Sequence, residues 1–310
     1  MCRPLIDKER MLCIFSTVNL INKRIPVISL SFSVWAFLAL TAWQLLPDVY
    51  MGPYNAWNPH VILEFLVIIF SISIAGKLAV QLLGARYGLL LTGLIGGFAS
   101  STATIHSMGA LAKAQPQLAD RAALGGVLSN IATLLQLLVL LELLAPPVLR
   151  LIIQPLCIGL IGMLAYSLWV LYFAKPITPS SFEAKEGLDF DWQSLLTITA
   201  LVCFVSYSTA ALNAAYGQNG LLVGASLSGL LDAHAILPTV ASLQVQSKLL
   251  PQDAVMPLLI SLSANSLTKS LIAFNSGGFG YAKKISAGVW ITTFSVWIGY
   301  WLKGSLILNF

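Results

Sequence analysis

The sequence predicts an all-α, polytopic membrane helix bundle. Three observations predict it. Of the 310 residues, 57% are hydrophobic; only 9% are charged, with mean hydropathy +0.84; and about nine apolar stretches of spanning length follow one another. A soluble domain carries about 25% charged residues, so too few polar side chains exist here to coat a water-facing surface. Strand-period alternation is absent, which argues against a β-barrel.

A helix needs about 20 apolar residues to cross hydrocarbon. The segments are 26–46, 61–83, 87–111, 122–145, 148–173, 193–215, 219–247, 253–275 and 285–308. Connections such as Leu46-Pro47-Asp48, Ala145-Pro146-Pro147 and Asn275-Ser276-Gly277-Gly278 separate them. The longest polar one, 174–192, carries Lys175, Glu183, Lys185, Glu186, Asp189 and Asp191 and is too short for a soluble domain. Trp35, Trp43, Tyr50, Tyr54, Trp57, Trp169, Tyr172, Trp192, Trp297, Tyr300 and Trp301 fall mostly near segment ends, as in an interfacial aromatic belt. Residues 1–25 are a short basic segment. Their scattered charges and interrupted apolar run do not read as a cleavable signal peptide. Residues 26–310 read as a single membrane domain.

Net charge is +5, from 17 Lys/Arg against 12 Asp/Glu. The basic residues fall mostly in short connections, which orients membrane segments, and no basic stripe with interleaved aromatics suggests nucleic acid. Cys2, Cys13, Cys157 and Cys203 form no CxxC pair and read as small hydrophobes. His60, His106 and His234 have no metal-ligand spacing, and neither HExxH, GxSxG, Walker A nor GxGxxG occurs. No enzyme, metal or cofactor is expected. A Lys269 Schiff base with an Asp232 counter-ion is rejected for lack of further support.

The sequence also repeats. Gly88–Gly97 with Phe98-Ala99-Ser100-Ser101-Thr102-Ala103 resembles Gly220–Gly229 with Leu230-Leu231-Asp232-Ala233-His234-Ala235, at an offset of 132. Asn130-Ile131-Ala132-Thr133 echoes Asn265-Ser266-Leu267-Thr268 at 135. These pairs suggest an internal duplication, with repeat one about 61–173 and repeat two about 193–308. Two topologies stay open. Nine crossings put nine Lys/Arg inside and six outside. If the Gly-rich segments 87–111 and 219–247 enter and return as broken helices, twelve lie inside and only Arg150, Lys248 and Lys303 outside. The re-entrant form satisfies the positive-inside rule better and makes the repeats inverted.

Asp232 is the sharpest signal of chemistry. An ionised carboxylate in mid-segment is costly and usually faces a bundle interior or pathway. The alternative is a carboxylate neutralised by a proton or a buried hydrogen bond. His234 follows two residues on, and Pro238 clashes with the His234 carbonyl, so a distorted turn over 232–238 can gather both with a free carbonyl. Asn265, Thr268 and Lys269 form a second cluster. Asp232 and Lys269 are the expected ion pair between helices, with snorkelling of Lys269 as the alternative. In repeat one, Asn130, Thr133 and Gln136 make an uncharged stripe. The hydroxyls of Ser100, Ser101, Thr102 and Thr104 line a polar site if the helix is broken there, Ser100 and Thr104 sharing a face at i,i+4; close helix packing by the glycines is the alternative. His106 reads as an interface residue, and Glu64, Lys77 and Glu142 read as snorkelling ones.

At several of these places the chain resembles a known family. The residues are Leu46-Pro47-Asp48, Gly52-Pro53, Asn58-Pro59, Gly84-Ala85-Arg86-Tyr87-Gly88, the Gly96–Thr104 run, Gly229-Leu230-Leu231-Asp232-Ala233 and Asn265-Ser266-Leu267-Thr268-Lys269. In order and spacing they are similar to the C-terminal membrane domain, of unknown function, of two-part MgtC/SapB-family proteins, over about 30–305. That family typically has a second acidic residue where His234 stands, and residues 1–25 are too short to be its N-terminal MgtC-like part. The resemblance implies a multi-pass protein of a prokaryotic cytoplasmic membrane. Two functions remain open. One is a secondary transporter or ion-translocating protein with a midplane site between the repeats, acting on a small solute or ion such as a proton or metal cation. The other is a non-transporting membrane partner or regulator. The expected partners are the lipid bilayer and that solute, with a homo-oligomer left open.

Overall fold

Prolines start three of the helices, one of them with a polar cap. The computed structural model describes residues 40–173 and 192–307. Its helices are α1 (Pro59–Ala114), α2 (Ala119–Leu144), α3 (Pro146–Phe173), α4 (Trp192–Tyr216), α5 (Gln218–Leu231), α6 (Leu237–Val245) and α7 (Pro251–Ile307). The Asn58 side chain accepts the His60 and Val61 backbone N–H groups at 2.9 and 3.3 Å, and Pro59 stands at the first turn, where no N–H is missed. Prolines open α3 and α7 in the same way. Among the described residues the only strand-like feature is a bridge between Met51 and Trp57. The chain is an α-helical bundle of membrane type.

Six stretches among the described residues are long and apolar enough to cross a membrane: Pro59–Ala79, Gly88–Ala114, Pro116–Leu144, Pro146–Phe173, Leu195–Tyr216 and Pro251–Leu302. The expected nine segments do not map onto them one to one. Segments 253–275 and 285–308 are the two legs of one folded stretch, and 219–247 is split between two shorter helices. Segment 26–46 lies outside the described residues up to 39, as does the connection 174–191.

Both long helices fold at glycine. Gly88 (φ 77°, ψ −171°) and Gly278 (φ 72°, ψ −178°) occupy a region that is essentially glycine-only. Beyond Gly88 the chain runs back along leg 59–87: Ser73 Oγ donates to the Ala99 carbonyl at 3.2 Å, and Gly76 lies against Phe98 and Ala99. Beyond Gly278, leg 279–307 runs back along 251–277. The Ser266 and Thr293 hydroxyls meet at 2.7 Å, and Trp297 Nε1 donates to Ser263 Oγ at 3.0 Å. Nothing lies within 4 Å of a Cβ built on Gly278, so Gly278→Ala tests backbone strain alone. We expect it to destabilise by about 1–3 kcal/mol, read from the thermal midpoint in detergent.

A second break lies at Ser100, whose backbone is extended (φ −170°, ψ 112°). Leg 89–99 runs parallel to α2, with Gly93 against Gly125 and Gly97 against Ser129. Leg 101–114 runs the other way, with Thr133 Oγ1 donating to Ser101 Oγ and Met108 against Gly125. Residues 88–114 therefore form a helical hairpin with its tip at Ser100. α5 and α6 form another, packed on α4. Gly224 of α5 lies against Thr209, while Thr239 of α6 donates to Ser206, less than one turn from Thr209 along α4. An unbroken helix would place residue 239 about 22 Å beyond 224. The chain thus reverses between Asp232 and Ile236.

The hairpins open at opposite ends of the bundle. The open end of the first lies with the Asp120–Lys284 ion pair and with Ser276, which touches Gly109. The open end of the second lies at the start of α1, where Gln246 Nε2 donates to the Asn55 carbonyl at 3.3 Å. Burial there pushes the Tyr50 phenol up from its ordinary value, partly offset by hydrogen bonds with Asn58 and Ser242. Two apolar cores flank the tips. One gathers Leu137, Leu140, Leu141, Ile152, Leu156, Ile236 and Leu258; the other Ile105, Leu124, Val127, Met163 and Ile285. Outward faces stay apolar, as at Ile161 and Leu168, each 65% exposed, which suits contact with lipid.

Candidate functional site

The tips meet at the middle of α2 and of leg 251–277. Leu231 ends α5, and Asp232 follows in extended conformation (φ −158°, ψ 139°), close to that of Ser100. Each closes its break with its own side chain. Ser100 Oγ accepts the Ala103 N–H at 3.2 Å, and Asp232 Oδ1 accepts the His234 N–H at 2.7 Å. His234 Nδ1 lies 3.0 Å from that same Oδ1, while Nε2 lies 3.2 Å from the Thr133 carbonyl. The expected distorted turn is present, and the carbonyl it meets comes from α2. The Asp232 side chain remains 47% exposed against 6% for His234.

Lys269 is buried, 2% exposed. Its Nζ donates to Asn130 Oδ1 at 2.8 Å and to Thr133 Oγ1 at 2.9 Å. Thr133 Oγ1 then donates to Ser101 Oγ at 2.9 Å. The expected Asp232–Lys269 ion pair is not formed; the carboxylate pairs with His234. The tip of the second hairpin turns Asp232 onto its own chain, and α2 supplies neutral oxygens to the ammonium instead. Snorkelling is also excluded for Lys269, because its head is buried between helices.

Asn265 lines a small pocket beside Lys269, with Asn130, Thr133, Ser266, Thr292 and Thr293. It has room for about one water-sized molecule. Thr268 Oγ1 donates to the Leu230 carbonyl at 2.9 Å, on the tip side of α5. Thr102 and Thr104 enter none of the hydrogen bonds around Lys269 or His234; Thr104 packs against Gly96. The expected Ser100–Thr104 helical face does not exist, because Ser100 lies outside the helix. His106 is exposed on the returning leg.

Contacts recur 132 residues apart. Gly97 on Ser129 matches Gly229 on Ser261. Gln136 Nε2 to the Phe98 carbonyl, 3.1 Å, matches Thr268 Oγ1 to the Leu230 carbonyl. Ser129 Oγ to the Ser101 carbonyl matches Ser261 Oγ to the Ala233 carbonyl, both 3.5 Å. The 135-residue pairing of Asn130 with Asn265 does not hold here; Thr133 is the position equivalent to Asn265. Reading at 132 throughout would have singled out Thr133, the hub that joins both tips to Lys269. Among the described residues no group of three His, Cys, Asp or Glu side chains could hold a metal.

A family model described as Domain of unknown function (DUF4010) matches residues 67–277. The match ends one residue before the Gly278 turn and includes both hairpins. No curated protein and no solved structure matches the chain.

Proposed function

Because the chain belongs to the DUF4010 family, whose description assigns no activity, we propose from the site itself that it is a secondary transporter or ion-translocating protein. The observation that carries this reading is the meeting of two oppositely entering hairpin tips on one buried lysine through Thr133. Leg 89–99 rises about 16 Å and α5 about 21 Å, roughly half to two thirds of a 30 Å hydrocarbon core. Both tips then lie near the midplane. Extended backbone at that depth is tolerated only where protein or water covers it. Contacts repeating at 132 residues support an inverted duplication, repeat one about 61–173 and repeat two about 193–308. Such repeats, with broken helices between them, are a recurrent architecture of transporters. In this reading Asp232 with His234 holds the coupling proton or cation, and movement of one hairpin against the other alternates access.

The resemblance to the MgtC/SapB membrane domain supports a prokaryotic cytoplasmic membrane. Charge supports the orientation, since Lys113, Arg121, Lys283 and Lys284 lie at one end and would face the cytoplasm. In a cysteine-free background, single cysteines at Lys113 and Lys283 should label from the cytoplasmic side and one at Gln246 from the other. Labelling of 113 and 283 from opposite sides would remove the re-entrant topology.

The test of function is purified chain in proteoliposomes, with a pH-sensitive or potential-sensitive dye and an imposed ion or solute gradient. Flux above protein-free vesicles supports the reading. Absence of flux in folded, correctly oriented protein would favour the alternative, a regulatory membrane partner whose polar residues only join helices.

A further inference from the structure

His234 presents both ring nitrogens to oxygen atoms that accept: Nδ1 to Asp232 Oδ1 and Nε2 to the Thr133 carbonyl. The same Oδ1 already accepts the His234 backbone N–H, so it acts as an acceptor. A neutral imidazole has one N–H and would set a lone pair against one of these oxygens; the imidazolium donates to both. At 5% exposure an unmatched contact is costly. With the ring in that form, Asp232 and His234 make a neutral ion pair across the hairpin tip.

Lys269 remains. Its two partners, Asn130 Oδ1 and Thr133 Oγ1, are neutral, and among the described residues no carboxylate lies within 4 Å of it. An ammonium has three donors, and two are used here. With the Asp232–His234 pair balanced, the ammonium form of Lys269 leaves one positive charge in excess at the centre of the bundle, at a depth where charges are paired or serve a pathway. Beside it lies the pocket lined by Asn265, whose amide can donate two N–H groups, and by the hydroxyls of Ser266, Thr292 and Thr293.

We propose that a small monovalent anion binds in this pocket on Lys269 and completes the charge balance of the site. The inference rests on the transport reading for its role, the anion being the solute or the co-transported ion, but the binding can be tested separately. The pocket's size favours a halide-sized anion over a bulky one.

Thermal unfolding of the detergent-purified chain should be followed in sodium chloride against sodium gluconate at equal sodium. The expected result is a saturable rise of the midpoint, about 5 °C at a hundredfold excess over Kd. Exchange of sodium for choline should leave the rise unchanged. Lys269→Gln should abolish it. If that variant does not fold, Asn265→Ala serves, with at least a tenfold weaker apparent affinity. A wild-type midpoint that ignores the anion, or follows the cation, overturns the proposal. Proton or cation flux in vesicles without any anion effect would overturn the anion site and leave the transport reading standing. A saturable anion effect with no flux would keep the site and remove the transport reading.

Discussion

Valine at Gly229 should leave little folded protein in the membrane. A Cβ there would run into the Ser261 carbonyl oxygen and stand 2.7 Å from its carbonyl carbon and Cα. These are backbone atoms of leg 251–277, so no side chain can swing aside. Small residues let helices approach this closely, and in membranes that packing replaces the hydrophobic drive between helices. Overpacking a tight core costs about 1–3 kcal/mol, and a backbone clash with two further methyl groups belongs at or above the top of that range. Gly97→Val should behave alike, since its Cβ would stand 2.5 Å from the Ser129 carbonyl oxygen. Gly280 is the matched control. It lies on a helix with nothing within 4 Å of its Cβ, so Gly280→Ala should be neutral or gain up to about 1 kcal/mol. Size-exclusion profile and thermal midpoint in detergent check all three. A Gly229→Val protein as monodisperse and stable as wild type would mean that α5 does not pack on leg 251–277 as described.

The helical membrane bundle is legible because composition and segment length point to it: with 57% hydrophobic and 9% charged residues, too few polar side chains exist to coat a water-facing surface. The glycine runs also told of close approach, and the spacing of Gly97 and Gly229 carried the register of both hairpins. Other features were not legible. Hydropathy cannot tell a crossing helix from two apolar legs folded at Ser100, because both bury the same side chains. Serine is not a helix breaker, and its extended backbone there is set by tertiary packing of the tip against Ser129 and Thr133. The partner of Lys269 is illegible in the sequence for a related reason. Opposite charge in two segments suggested an ion pair. The backbone at Asp232 instead turns its carboxylate toward His234, two residues away, and only the fold brings Asn130 and Thr133 across from a helix more than 130 residues earlier. Thr133 itself looked like one hydroxyl in an uncharged stripe. Its importance lies in position, with a main-chain oxygen facing one tip and a hydroxyl facing the other.

Removing the charge of Asp232 while keeping its shape should separate transport from folding. Its Oδ1 accepts the His234 N–H at 2.7 Å and closes the tip of the second hairpin, a role that the amide carbonyl introduced by Asp232→Asn could fill equally. That variant should therefore insert and purify like wild type, and lose no more stability than about 1.5–3 kcal/mol, the contribution of the charged contact itself. What it loses is the negative partner of the His234 ring at 3.0 Å. A charge-assisted hydrogen bond contributes about 1.5–3 kcal/mol, so the ion-bound state of the tip should weaken by roughly 10- to 150-fold. Flux in proteoliposomes at fixed gradient should fall by that factor or to the level of empty vesicles. Asp232→Ala removes both roles, and should add about 0.5–2 kcal/mol of instability to the same loss of flux, as loss of a capping side chain does. The difference between the two variants carries the argument. If Asp232→Asn transports like wild type and Asp232→Ala is merely less stable, the carboxylate is a cap for the tip and the coupling ion sits elsewhere. If Asp232→Asn is stable and silent, the charge itself is needed for movement of the ion, and the half-exposed carboxylate is the point at which the ion is exchanged.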